Sequence, residues 1–132
     1  MNRTLVVFLA VAAIVLVAGL GCHKDPLSSY KPDVVNTQDN FHFQLKDVKN
    51  HDTTLIYFWH MLGSSANIDQ SASIKGGTVA VTIEDSAYQL VYQTDLRQTG
   101  SFTTSSGTPG WWRIKFVLTN FSGMIDFRSM RR

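Results

Sequence analysis

Residues 111–127 read WWRIKFVLTNFSGMIDF, and this stretch decides the fold class. Its first half is apolar at every second position: Trp112, Ile114, Phe116 and Leu118. Alternation with a period of two is typical of a β-strand that buries one face, because successive side chains point to opposite sides. The pattern therefore predicts a strand with Trp112 inside and Trp111 outside or at the rim of the sheet.

The second half of the same stretch predicts a returning strand. Residues 120–123, Asn-Phe-Ser-Gly, have the composition of a turn. A four-residue loop there sets a register in which Leu118 faces Ile125 and Phe116 faces Phe127. Every inward residue then meets another inward residue, so the sequence predicts a hairpin at this point.

The rest of the chain shows the same kind of pattern. Large apolar residues stand at every second position at three further places: Phe41, Phe43, Leu45; Val79, Val81, Ile83; Tyr88, Leu90, Tyr92. Residues 55–59 are apolar throughout, which favours a strand that is buried on both faces or one that faces a second layer. Turn residues at 49–52 and 85–87 predict two more hairpins. We expect an all-β body over residues 41–132, an antiparallel β-sandwich of about seven to eight short strands, jelly-roll-like, with a small closed barrel as the alternative.

The first twenty-one residues have the character of a secretory signal. Arg3 is followed by an uncharged apolar run that ends at Cys22, the only cysteine of the chain. A positive start and an apolar run shorter than about twenty residues are typical of a signal peptide, here 1–21, with an uncleaved membrane anchor as the alternative. Residues 18–22, Ala-Gly-Leu-Gly-Cys, resemble the lipobox of bacterial lipoproteins. That resemblance implies that the leader is cleaved before Cys22 and that Cys22 is lipidated. The competing interpretation is cleavage after Gly19 by the ordinary signal peptidase.

The lipobox resemblance also implies a location. It predicts a lipid-anchored protein of the cell envelope, attached to a membrane through Cys22. Because His23 rather than Asp follows the cysteine, the site would be the outer membrane or the periplasmic face in a Gram-negative organism. Residues 22–40, with two prolines, are expected to be the lipidated N-terminus and a flexible linker, although Val34 and Val35 could form an edge strand.

Composition excludes several classes of function. A net charge of +2 does not favour a nucleic-acid partner. A single cysteine excludes an intrachain disulfide framework and a cysteine-rich zinc site. Neither a Gly-x-Ser-x-Gly nucleophile motif nor a phosphate-binding glycine loop occurs in the sequence, and Glu84 is its only glutamate. We therefore expect a protein that is not an enzyme and needs no cofactor.

Two tryptophans are candidates for binding a ligand. The pattern of residues 111–127 is similar to that of small secreted β-sandwiches, including pre-peptidase C-terminal and carbohydrate-binding modules. The resemblance implies a noncatalytic accessory or binding domain, in which Trp111 or Trp59 would stack on a sugar ring. Packing in the core or at the rim is the alternative for both residues.

Three histidines are spaced by nine residues, at positions 42, 51 and 60. In one register of the first hairpin, His42 and His60 face each other and could bind zinc or copper, with Asp52 as a third ligand. A shift of one residue would pair Phe43 with Phe58 and separate the histidines.

The sequence as a whole gives three functional expectations. The leading one is a noncatalytic envelope lipoprotein that binds an envelope protein or a glycan or has a structural role. A carbohydrate-binding module is the second, and a metal-binding envelope protein is the third.

Overall fold

The computed structural model describes residues 31–132, so the expected signal peptide and Cys22 lie outside the described residues. The described chain forms six strands: β1 Asp33–Thr37, β2 Asn40–Met61, β3 Ala66–Glu84, β4 Leu90–Asp95, β5 Gly100–Thr103 and β6 Gly110–Arg131. Their order in the sheet is β1-β2-β6-β3-β4, with β5 also paired to β3, and every pairing is antiparallel. The prediction of an all-β antiparallel fold is confirmed. No helix within residues 31–132 has the length and apolarity needed to cross a bilayer.

The number and length of the strands differ from the expectation. Strands β2, β3 and β6 have 22, 19 and 22 residues, in place of several short strands. Residues 49–52 and 120–123 are not hairpin loops, because the chain continues through both in a single strand. Strands β2 and β6 pair along their whole length, from Asn40 with Met130 to Met61 with Gly110. The two predicted hairpins are therefore wrong.

Each long strand is bent near its middle, and we call the line of bends the spine: residues 46–52 of β2, 74–78 of β3 and 119–123 of β6. The register of the ladder shifts in the bends of β2 and β3, in both cases relative to β6, which lies between them. Positive φ angles occur there at Asp47, Asn50 and Asn120, and at Gly77 (72°) and Gly123 (142°). Because a positive φ does not belong to an extended strand, such residues bend the sheet.

The bends fold one sheet into two facing layers. The rings of Phe43 and Phe116 stack with their centroids 4.2 Å apart. Phe116 and Phe127 lie in the same strand, eleven residues apart, yet their centroids are separated by only 5.3 Å. A straight strand would hold them about 36 Å apart. The molecule is therefore a β-sandwich whose two layers are the halves of the same long strands.

We name the layers by their short strands. The β4 layer comprises residues 53–61, 78–84 and 110–118 with β4, and the β1 layer comprises residues 40–48, 66–74 and 121–131 with β1 and β5. The core between them contains nearly all the residues that the alternation predicts to face inward: Phe41, Phe43, Leu45, Val79, Val81, Ile83, Trp112, Ile114, Phe116, Leu118, Ile125 and Phe127. The inward face was thus correctly predicted for the strands that carry the core.

The hairpin between β3 and β4 is present, as predicted from the turn residues at 85–87. Its ladder pairs Ile83 with Tyr92 and includes a shift next to Glu84. Tyr88 and Leu90 are 76% and 54% exposed, so they lie in and beside the turn rather than on the inner face.

Strand β1 lies inside the segment 22–40 that was expected to be a linker, so the sheet begins at Asp33. The alternative of an edge strand at Val34 and Val35 is the one that the structure shows.

The end of β1 and the turn that follows it also join the two layers along the free edge of β2, and we call this contact the seam. The side-chain amide of Asn36 donates a hydrogen bond to the carbonyl oxygen of Phe58 (2.9 Å). The backbone N–H of Asp39 donates one to the carbonyl oxygen of His60 (3.0 Å). The indole N–H of Trp59 donates to the carbonyl of Thr37 (3.1 Å). These bonds hold the end of β1 and the turn before β2 against the last residues of β2.

The spine generates a prediction about two adjacent glycines. A Cβ on Gly77 would lie 2.2 Å from the carbonyl oxygen of Asn120, at a φ of 72°, whereas a Cβ on Gly76 would approach nothing closer than 4.0 Å. We expect Gly77→Ala to lower the free energy of unfolding by more than about 2 kcal/mol, because strain and collision add. Gly76→Ala, the matched control, is expected to change it by less than about 1 kcal/mol. Urea unfolding measures both; equal effects would show that the spine does not depend on this backbone conformation.

Candidate functional site

The outer face of the β4 layer carries a group of exposed apolar and aromatic side chains. Along β2, the residues Ile56, Phe58 and His60 lie opposite Lys115, Arg113 and Trp111 of β6. Residues that are directly opposite each other in an antiparallel ladder share one face. Ile56, Phe58 and Trp111 are 47%, 59% and 61% exposed. We call Ile56, Phe58, His60 and Trp111 the aromatic patch.

Trp111 is stacked on a neighbour at one end of this patch. Its ring lies 4.8 Å from that of His60, centroid to centroid, with 22° between the planes. The imidazole supports the indole from the adjacent strand. Trp111 is therefore held in a defined position while a large part of its surface faces solvent.

An ion pair borders the aromatic side chains. Arg113 lies opposite Phe58 on one side and opposite Glu84 on the other. Its Nη2 donates a hydrogen bond to Oε1 of Glu84 at 2.5 Å, while its Nε is buried without a hydrogen-bond partner. The patch thus combines ring faces with a charged donor and a charged acceptor.

The loop that leads into Trp111 is fastened to the β3–β4 turn by Asp85, which is 2% exposed. Its carboxylate accepts backbone hydrogen bonds from Thr108 (2.8 Å), Gln89 (2.9 Å) and Ala87 (3.0 Å). The bond from Thr108 is the largest cause that lowers the pKa of Asp85; burial opposes it, and the bonds from Gln89 and Ala87 add to it. The carbonyl oxygen of Thr108 in turn accepts the indole N–H of Trp112 (2.8 Å).

Trp59 does not belong to the patch. It is fully buried and packs edge-to-face against Trp112, with ring centroids 6.0 Å apart. The expectation that Trp59 could stack on a ligand is wrong, because the alternation of β2 turns Trp59 inward and its neighbours Phe58 and His60 outward. Residues 55–59 are therefore not buried on both faces, because Ile56 and Phe58 lie on the outer face. Once Trp59 is assigned to the inner face, the two-residue period of a strand is enough to place Phe58 and Ile56 outside.

The histidines do not form the predicted cross-strand pair. Without the first hairpin, His60 lies opposite Trp111, and His42 lies opposite Arg128 on the outer face of the β1 layer. The Nε2 atom of His42 is hydrogen-bonded to Asp126 at 2.8 Å. Within residues 31–132, no group of three or more His, Cys, Asp or Glu side chains is placed to hold a metal ion. The pairing that a zinc or copper site required is therefore wrong.

Asp126 is the centre of a small polar network on that face. It accepts hydrogen bonds at one oxygen from His42 and at the other from Gln44 (3.0 Å). Burial alone would raise the pKa of Asp126, but these bonds and the charges of His42 and Arg128 bring it below the ordinary value. The carboxylate is thus kept ionised, and it orients both neighbouring side chains.

Comparisons with known proteins bear on the fold alone. No family model and no curated protein matches the chain. Among solved structures, the carbohydrate-binding module CBM4 is similar with 13% identity and a TM-score of 0.43 over 80% of each chain. The glycosylation-associated Gap123 complex of Streptococcus agalactiae has 8% identity and a TM-score of 0.43, over 83% of this chain and 41% of that one. The accessory secretory protein 1, 2 and 3 structure of Streptococcus pneumoniae has 10% identity and a TM-score of 0.36, over 79% and 89%.

The Asp85 network generates a prediction about stability and pH. Asp85→Asn leaves at least one part-buried backbone N–H without its acceptor, so we expect it to lower the free energy of unfolding by about 1–2 kcal/mol. Because the pKa of Asp85 is lowered in the folded protein, its contribution is present above the ordinary carboxyl pKa, about 3.9, and is lost as the pH falls through the folded value.

Chemical denaturation across acid pH tests this prediction. The wild-type protein should lose stability on acidification more steeply than Asp85→Asn. Asp95→Asn is the matched control, since that exposed carboxylate accepts a single backbone hydrogen bond from Arg97. Parallel pH profiles for the wild type and Asp85→Asn would contradict the assigned role.

Proposed function

We propose that this protein is a noncatalytic binding protein of the bacterial cell envelope, anchored by lipid at Cys22, whose β-sandwich binds a partner through the aromatic patch. The observation that carries the proposal is the exposure of Trp111 and Phe58 at diagonal positions of the β2–β6 ladder, on one face of the sheet. The lipobox resemblance supports the anchor.

Exposed aromatic side chains in a group favour a binding role. A single apolar residue on a surface is ordinary, whereas adjacent large ones indicate an interaction site. Tryptophan is also among the residues that contribute most to binding energy, because it offers a large contact area with few rotatable bonds. Trp111 has this character, and its stacking on His60 reduces the entropy that binding would remove.

A carbohydrate is the ligand that the patch favours most specifically. A flat, exposed indole can cover the apolar face of a sugar ring, and hydroxyl groups need both donors and acceptors. Arg113 and Glu84 supply one of each beside the aromatic side chains. The alternative is an envelope protein, for which Ile56 and Phe58 extend the apolar area towards the edge of the sheet.

The patch generates a prediction about Trp111. We expect the full-length protein, purified in mild detergent, to co-sediment with isolated cell-wall polysaccharide. Trp111→Ala should weaken this binding about tenfold or more, because the main contact area is removed. Met130→Ala is the control, since Met130 is 38% exposed on the other layer.

Two outcomes would revise the proposal. If no polysaccharide is retained but a crosslinked envelope protein is lost in Trp111→Ala, the ligand is a protein. If Trp111→Ala retains every interaction of the wild type, the aromatic patch is not the binding surface.

The anchor generates a separate prediction. Mass spectrometry of protein extracted from membranes should find Cys22 as the acylated N-terminal residue. Cys22→Ser should abolish both the acyl mass and the cleavage before residue 22. An N-terminus at Leu20, or an intact leader, would contradict lipidation and favour one of the two alternatives.

A further inference from the structure

We infer that the spine carries a surface that binds anionic lipid headgroups, so that the body lies with its spine on the membrane and its aromatic patch directed away from it. The inference rests on the envelope anchoring proposed above. It adds an orientation and a chemical class of partner, the phosphate groups of anionic lipids, to a part of the fold that has no role in the aromatic patch.

The position of β1 shows at which end the tether leaves the body. Asp33, the first residue of β1, lies opposite Gln44, two residues before the spine begins at Lys46. From there β1 runs away from the spine to Thr37, which lies opposite Asn40. The chain therefore enters β1 at the spine end. The eleven residue steps from Cys22 to Asp33 span at most about 40 Å, so an anchored Cys22 keeps this end close to the bilayer.

The aromatic patch lies at the other end of the sandwich. His60 is nine residues from His51 in the spine, and Trp111 is nine residues from Asn120. At about 3.3 Å per residue, the separation is about 30 Å. Arg131 lies at that far end too, where it pairs with Asp39 (3.5 Å). The C-terminal arginines are thus remote from a membrane at the spine.

Four lysines lie on the outer surface of the spine end. Lys31, Lys46, Lys49 and Lys75 are all exposed, and none of them forms an ion pair among residues 31–132. Four carboxylates share this end, Asp33, Asp47, Asp52 and Asp126, and Asp126 is hydrogen-bonded to His42 and Gln44. Asp52 accepts the backbone N–H of Asn120 (2.7 Å), which holds it against the spine. Because a lysine amine stands on a four-carbon stem and an aspartate is short, the outermost charges are positive.

A cavity on the spine gives this surface a place for a headgroup. It has a volume of about 240 Å³, and its lining includes Lys49, Lys75, Ser73, Ser122 and Met124 together with Asp47. Two ammonium groups and two serine hydroxyls are donors suited to a phosphate, and they outnumber the single carboxylate. Met124 is 45% exposed beside them, and an apolar side chain next to lysines fits the boundary between headgroups and acyl chains.

Lysine reactivity on vesicles tests the inference. The full-length protein is reconstituted into vesicles of phosphatidylcholine alone and into vesicles that also contain phosphatidylglycerol. Amine acylation at each lysine is then followed by mass spectrometry. Lys46, Lys49 and Lys75 should react about fivefold more slowly on the anionic vesicles, which corresponds to about 1 kcal/mol for a lysine near such a surface. High salt should remove the difference.

Matched variants separate this surface from the rest of the molecule. Lys115, on the outer face of the β4 layer, should react equally on both kinds of vesicle. The double variant Lys49→Ser, Lys75→Ser should abolish the protection of Lys46, whereas Lys115→Ser should leave it unchanged. Circular dichroism of each variant confirms that the sheet is retained.

The outcomes distinguish this inference from the proposed function. If the wild-type protein fails to float with either kind of vesicle, the envelope anchor is wrong, and the headgroup surface falls with it. If it floats with both while the three lysines react at equal rates, the headgroup surface alone is wrong. Slower labelling confined to Lys115 would show that the β4 layer, not the spine, faces the membrane.

Discussion

The stacking of Phe43 on Phe116 joins two halves of one folded sheet. Phe41, Tyr57 and Phe127 surround this pair, with ring centroids between 5.3 and 6.5 Å from a neighbouring ring. Large apolar rings that leave water together supply much of the driving force for a small domain. They can meet only if the strands that carry them bend, so the left-handed residues of the spine and the aromatic core require each other.

The fold leaves two outer faces of unlike chemistry. The β4 layer presents the aromatic patch, with the Arg113–Glu84 ion pair beside it. The β1 layer presents the polar network around Asp126. Since each long strand contributes to both layers, the same strand carries both kinds of surface: β2 provides His42 to one and His60 to the other. A ligand that stacks on aromatic rings is therefore expected to bind to the β4 layer rather than to the β1 layer.

Alternation in the sequence was sufficient to predict that Trp112, Ile114, Phe116, Leu118, Ile125 and Phe127 enter the core, because a strand has only two faces. It missed Phe121, which is fully buried and was assigned to a turn. It was not sufficient to distinguish a hairpin from a bend. A turn at 120–123 and a bend at 119–123 both bring Phe116 close to Phe127, in one case as ladder partners and in the other across the core. The long-range pairing of β2 with β6 decided between them, and no local pattern reports it. The sequence predicts only part of the aromatic patch: Trp111 follows from the alternation around Trp112, whereas Phe58 does not, because a run that is apolar at every position does not indicate which of its residues face outward.

The seam has a consequence for a protein concentrated on a surface. Within the β4 layer, the outer edge of β2 would otherwise offer backbone groups to a strand of another molecule, and Phe58 would add apolar area to that contact. Uncovered edges of this kind promote intermolecular sheet growth and aggregation. Asn36 and Asp39 occupy the carbonyl oxygens of Phe58 and His60, so two acceptors of this edge are already used where the apolar side chains are most exposed. Neighbouring copies therefore find fewer free acceptors on β2 with which to extend the sheet.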